Sequence, residues 1–459
     1  MTTNKEQQIK NSFIYLIPVI ISNLLPFLTF PIFTRIFSTH DYGVLALAQV
    51  YATFATGLAN FGMLTGFERN FFQYQENKTR GQLFYSVLIF VATALVVLGS
   101  ITFLLKAQLA QWIIGSAAYA DFLFLAFCAN ATLILKPYFL TYYKNQENAK
   151  TSVRYSVVDS ILSAFIAIVL IVYFRIGISG IFWGQLISGS ITLVFMSKNF
   201  LRVLPFSMNR DVLMDCLKIS FPLTPMIFLK IINTQFDKYM IGLLGSVSGA
   251  GVYHIGQKLS YLVFNYMTAL QGVFGPQTYK RMFGMEEEQG GESIGRFLTP
   301  FAYASIAFGI LVVLLAEEIV TILAPESYHE AIDVVIVLAM FYGIMFFGKQ
   351  PQLIYAKKTH FSSIIFLVSM ALNVGLNIPF IMKWGINGAA WATFIAGLGS
   401  IGISFAVGQH YYRIAWEYKK LGAIYLLFFV SAISMIYLRQ ISLDYSIRFG
   451  IKLLLALAY

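Results

Sequence analysis

One constant offset organises this chain. Lys10-Asn11-Ser12-Phe13 returns 208 residues later as Lys218-Ile219-Ser220-Phe221. Gly43-Val44 with Gln49 returns as Gly251-Val252 with Gln257. Arg175-Ile176-Gly177-Ile178-Ser179-Gly180, followed by Trp183, Ile187 and Gly189, returns as Lys383-Trp384-Gly385-Ile386-Asn387-Gly388, followed by Trp391, Ile395 and Gly397. Matches spread over most of a half at a single spacing imply a duplicated unit, so the fold has to be built twice from one plan.

Composition says in which solvent. Only 12% of the residues are charged, against about 25% in soluble globular proteins. Mean hydropathy is +0.71, and 58% of the chain is hydrophobic, which implies an all-α polytopic membrane protein. In a soluble chain the net charge of +11 would suggest nucleic acid as a partner. Here the cations sort by position relative to the apolar runs, so no nucleic-acid partner is expected. Cys128 and Cys216 lie in well-separated segments, and neither a disulfide nor a metal site is expected. The first apolar run follows Lys5 and Lys10 without a small-residue cleavage motif and reads as an uncleaved helix.

Apolar runs long enough to cross a bilayer are expected at 12–33, 42–62, 83–105, 121–141, 155–174 and 180–200, then at 219–244, 250–273, 297–316, 331–347, 361–382 and 386–408. A thirteenth follows at 421–438. The final run, 447–459, is too short to span alone. Lys and Arg crowd the connections around Arg69–Arg80, Lys144–Arg154, Lys198–Lys218, Lys280–Arg296, Lys357–Lys358 and Arg413–Lys420. The opposite connections hold only Arg35, Lys106, Arg175, Lys383, Arg439 and Arg448. That bias predicts a cytoplasmic N-terminus. Six spans per half is an even number, so both copies enter in the same direction. The expected architecture is two parallel six-helix lobes, 1–200 and 201–420, related by a pseudo-two-fold along the membrane normal, with 421–459 as a thirteenth and a partial fourteenth helix. A polar stretch at 198–218 links them. Parallel duplication of this kind belongs to transporters whose substrate site is formed by both repeats.

Polar residues inside the runs are the candidate site. The second run carries Gln49, Thr53, Thr56 and Asn60 at helical spacing. The seventh carries Lys230, Asn233, Thr234 and Asp237-Lys238 on one face. The eighth carries His254, Gln257, Lys258, Tyr261 and Asn265. A charged group at the bilayer centre costs about 2.5–3.5 kcal/mol on the insertion scale, so such stripes face a bundle interior or a wet cavity. Lys230 and Lys258 are the leading candidates for an anionic substrate. Lys136 and Lys349, nearer helix ends, can either serve it or snorkel. Asp159, Asp237 with Lys238, and His254 are candidates for ion coupling or for orienting helices, and packing is the alternative for each. Pro18, Pro26 and Pro31 in the first run, and Pro222 and Pro225 in the seventh, free backbone groups where each half begins. Gly343–Lys349 imitates a phosphate loop, but Gln350 stands where Ser or Thr is needed and no strand precedes it.

Phe30-Pro31-Ile32-Phe33-Thr34-Arg35-Ile36-Phe37 with Asp41-Tyr42-Gly43, and Asp237-Lys238-Tyr239-Met240-Ile241-Gly242 with Gly251-Val252-Tyr253, Pro276 and Tyr279, resemble bacterial polysaccharide flippases (Wzx-type O-antigen translocases) over nearly the whole chain. That superfamily also holds multidrug exporters and lipid II flippases. The resemblance implies 12 to 14 spans in two lobes. It also implies movement of undecaprenyl-pyrophosphate-linked oligosaccharide from the inner to the outer leaflet of the bacterial inner membrane, without catalysis or cofactor. Expected partners are the lipid-linked anionic oligosaccharide and the bilayer, with a polysaccharide polymerase and a chain-length regulator as further candidates. A multidrug or lipid II exporter on the same scaffold is the alternative. A site for cationic drugs should be acidic, whereas Lys230, Lys238 and Lys258 outnumber Asp237.

Overall fold

A computed structural model describes residues 21, 25, 27–74, 76–146, 148–204, 206–348, 351–441 and 444–457. Among them every regular element is helical. The first half comprises α1 (Phe27–Ile36), α2 (Thr39–Asn60), α3 (Met63–Gln73), α4 (Asn77–Ile113), α5 (Ala120–Asn145), α6 (Ala149–Ile168) and α7 (Ser179–Val203). Then come α8 (Arg210–Leu244), α9 (Val247–Gly284), α10 (Glu287–Leu314), α11 (Ala316–Leu323), α12 (Ala331–Ile344) and α13 (Pro351–Tyr355). The last are α14 (Thr359–Tyr411), α15 (Tyr418–Gln440) and α16 (Tyr445–Leu457).

Ten helices among the described residues are long and apolar enough to cross a membrane. α9 is not one of the ten, although its 38 residues reach about 57 Å at 1.5 Å per residue. His254, Gln257, Lys258 and Asn265 dilute its apolar run. α14 counts once but holds two rods. Gly385 interrupts it at φ 58°, ψ −133°, and the Asn373 amide donates to the Thr393 hydroxyl at 3.1 Å. Twenty residues of straight helix would separate that pair by about 30 Å, so the rods fold back on each other as two spans. Of the N-terminal prolines, Pro18 and Pro26 lie outside the described residues.

The duplication survives in local geometry. Ser38 caps α2 by accepting from the Asp41 amide at 3.2 Å. Its repeat-mate Ser246 caps α9 by accepting from the Gly249 amide at 2.9 Å. A serine hydroxyl there satisfies a first-turn N–H with no partner inside the helix. Ser246→Ala is expected to cost about 1 kcal/mol, read as a lower unfolding midpoint of the purified protein. Gly177 and Gly385 are also repeat-mates, and both take positive φ, 73° and 58°. A side chain with Cβ is disfavoured in that left-handed region, which accounts for glycine at both turns.

Two compact units result, 1–242 and 243–459. The connection between α7 and α8 is short, residues 204–209, because both helices extend into the polar stretch expected at 198–218. α8 runs antiparallel to α2 and α3 within the first unit. Thr224 Oγ1 donates to Phe61 O at 3.0 Å, and the Phe54 and Phe228 ring centroids lie 4.5 Å apart. Nearer the start of α8, a Cβ on Gly66 would meet the Cys216 carbonyl oxygen at 2.8 Å, so only glycine permits this approach. Aromatic rings fill the core of this unit, with Phe84 stacked on Phe200 at 4.6 Å and edge-on to Phe139 at 5.0 Å. In the second unit α12 is apolar almost all round and correspondingly almost wholly buried. Gly343–Phe347 is helical, not a phosphate-binding loop. Outside the spans, the Lys420 ammonium bonded to Glu417 holds that carboxyl below its ordinary range at the start of α15.

Candidate functional site

In the first unit the polar residues of α2 divide. Thr56 is fully buried, bonding back to Ala52 O at 2.7 Å and accepting from the Asn130 amide at 2.6 Å. Asn60 accepts from the Tyr138 hydroxyl. Half of the stripe therefore fastens α2 to α5. Gln49 and Thr53 are half-buried.

Lys136 on α5 and Asp159 on α6 form an ion pair, with side chains 8% and 15% exposed. Asp159 Oδ1 also accepts from Ser188 Oγ at 3.1 Å and Thr192 Oγ1 at 3.2 Å, both on α7. Three helices thus meet at one carboxylate. Burying a lone ammonium or carboxylate is severely penalised, and an opposite charge with extra hydrogen bonds offsets it. The structure brings together two residues that were weighed for separate roles. Ser188 and Thr192 were not singled out in the sequence; their spacing of four, which puts both hydroxyls on one helical face, was the available signal.

On α8, Lys230 is exposed, Asn233 half-buried, and Asp237 and Lys238 buried. All four belong to the first unit. In the second unit α9 presents His254 half-buried, Lys258 exposed and Gln257 buried. Tyr261 stacks on Tyr342 of α12 with centroids 5.4 Å apart, so its ring already serves packing. Lys349 lies outside the described residues.

Sequence reading overlooked two further polar clusters of the second unit. On α14 the buried Asn377 amide donates to Asn373 Oδ1 at 3.1 Å, extending the Asn373–Thr393 link. On α16 the Lys452 ammonium, 5% exposed, reaches Glu317 at 2.8 Å and Glu318 at 2.6 Å on α11, and Arg448 reaches Glu317 at 3.0 Å. Among the described residues no cluster of His, Cys, Asp and Glu could hold a metal ion.

The family model described as polysaccharide biosynthesis protein matches residues 32–333. No curated protein sequence matches closely enough to count as a relative. Among solved structures the chain is similar to the lipid II flippase MurJ in an inward closed conformation, with 14% identity, 97% of each chain covered and a TM-score of 0.72. It is also similar to an inward-facing multidrug resistance MATE family transporter of the MOP superfamily, with 16% identity, 89% of this chain and 98% of that chain covered, and a TM-score of 0.61. A MOP superfamily transporter from Pyrococcus furiosus, whose binding pocket is described as of reverse polarity, gives 15% identity, coverage of 92% and 96%, and a TM-score of 0.57. At such identities the likeness establishes the fold: this is the helical architecture of MOP-superfamily transporters.

Proposed function

Because the chain belongs to the polysaccharide biosynthesis protein family, we propose that it is a flippase for undecaprenyl-pyrophosphate-linked oligosaccharide. It works in the bacterial inner membrane with a cytoplasmic N-terminus, for O-antigen or another surface polysaccharide. The observation that carries this reading is the family match over 32–333 on a chain with a MOP-superfamily fold. A diphosphate and a glycan cannot enter hydrocarbon cheaply, because unpaired charges and polar groups are penalised there. A hydrated basic passage removes that cost for the head group while the polyprenyl tail stays in lipid.

Lys230 and Lys258 suit the diphosphate. A charge pair at 4 Å gains about 4 kcal/mol at an effective dielectric near 20, before desolvation. Gln49, Asn233 and Gln257 supply hydrogen bonds for sugar hydroxyls. Passage proceeds by alternating access, and an inside-negative potential favours outward movement of an anion by about 2.3 kcal/mol per charge per 100 mV. Asp237 with Lys238, and His254, are the residues for ion coupling. A polysaccharide polymerase would take up the delivered unit.

Lys230→Ala with Lys258→Ala is expected to cut surface glycan at least about tenfold, equivalent to 1.4 kcal/mol per decade, at matched protein levels in the membrane. Quantitative glycan blotting reads it, and wild-type glycan from the double variant rejects the basic passage.

A further inference from the structure

A cavity of about 490 Å³ opens in the second unit, lined by Asp333, Phe380, Trp384, Asn387, Trp391 and Gln440 among others. Its size falls within the range of about 300–1,000 Å³ typical of ligand pockets. Three helix ends make it: the start of α12, the last turn of α15, and both sides of the α14 hairpin at Gly385. The basic segments Lys357–Lys358 and Arg413–Lys420 lie at the other ends of these helices, so under the orientation proposed above the pocket faces outward.

We propose that this pocket binds a neutral pyranose ring of a glycan, as a sugar site that neither Lys230 nor Lys258 lines. The identity of the sugar source rests on the flippase reading; the binding itself does not. Phe380 stands edge-on to Trp384 at 4.9 Å, and the Lys383 ammonium lies 4.8 Å from the Trp384 ring centroid, so Trp384 forms a braced wall. Trp391, half-buried, supplies the second indole. Flat aromatic faces suit the C–H face of a sugar, and a polar edge must then meet its hydroxyls.

That edge is present. The Asn387 side-chain oxygen is buried and accepts no hydrogen bond among the described residues. An unmade hydrogen bond at a buried acceptor is costly, and a ligand hydroxyl would satisfy it. Gln440 adds an exposed carboxamide. Asp333 is held by Arg439, which also donates to His329 O at 3.3 Å. The charged residue of the lining, Asp333, is thus already paired, so the polar groups left for a ligand are the Asn387 and Gln440 carboxamides. The repeat supplies an internal contrast. The residues 208 positions before Phe380, Trp384 and Asn387 are Val172, Ile176 and Ser179. Trp391 has its mate in Trp183, but Phe380, Trp384 and Asn387 do not recur, so the duplicated fold does not require them.

The test uses the full chain in lipid nanodiscs. Tryptophan fluorescence is titrated with glucose, galactose, mannose, N-acetylglucosamine and the lipid-free oligosaccharide released by mild acid from the host's surface polysaccharide. At least one is expected to give a saturable change, weakened about tenfold, or 1.4 kcal/mol, by Asn387→Ala and by Trp391→Leu. Trp416→Phe should leave it intact, and all variants are compared at matched thermal unfolding. Absence of any saturable change, or equal affinity in both pocket variants, overturns the proposal. So does quenching of Trp384 and Trp391 by brominated acyl chains without competition from any sugar, which makes the pocket an acyl groove. Intact binding with failed translocation would sink the flippase reading alone, and failed binding with intact translocation would sink the sugar pocket alone.

Discussion

Lys136→Met is expected to destabilise the first unit by about 3–5 kcal/mol, the usual cost of stranding one partner of a buried ion pair. Asp159, 15% exposed beside Lys136, would keep only Ser188 and Thr192 as donors among the described residues. Two hydroxyls do not replace an ammonium. Adding Asp159→Asn removes the stranded charge and keeps a carbonyl oxygen for both hydroxyls. The double variant should therefore recover at least half of the loss, since neutral replacement of a buried pair is often tolerated. Thermal unfolding of the purified single and double variants measures the energetics, and surface glycan measures the role. If the pair serves α5, α6 and α7 as a joint, glycan returns with stability in the double variant. If Lys136 serves the substrate, glycan stays low in a protein that is again stable.

The pair also marks the limit of sequence reading. Lys136 and Asp159 stood out as charges in apolar runs, but periodicity describes one helix at a time. Which side chain of another helix stands opposite is tertiary information. Asn60 and Thr56 carry the same lesson, since the stripe on α2 was legible and its partners Tyr138 and Asn130 were not. What a constant offset can carry was legible to the level of single residues. Gly177 and Gly385, matched by the offset, take the same left-handed backbone, because local conformation depends on neighbours that were duplicated with them; the capping pair Ser38 and Ser246 obeys the same offset but was not singled out. The polar content of the eighth run was legible too, and it is what keeps α9 outside the ten strongly apolar helices. The pocket at Gly385 was not, because its walls come from residues more than 100 positions apart.

Lys452→Met is expected to release α16 from the second unit. The thirteen described residues make a helix of about 20 Å, marginal by itself. Ion pairs anchor it instead. Lys452 joins both Glu317 and Glu318, Arg448 joins Glu317, and the Tyr445 hydroxyl donates to Glu318 at 3.0 Å. Without the ammonium, two adjacent carboxylates, 15% and 18% exposed, share one guanidinium. The expected cost is about 3–5 kcal/mol. It should appear as faster hydrogen exchange across 445–457 while α4 and α5 of the first unit keep their protection. Glu318→Gln in the Lys452→Met background should restore much of that protection, because it removes the one unpaired negative charge and leaves Arg448 paired with Glu317. Unchanged exchange in Lys452→Met would mean that apolar contacts alone hold α16, and the buried charges would then need another explanation.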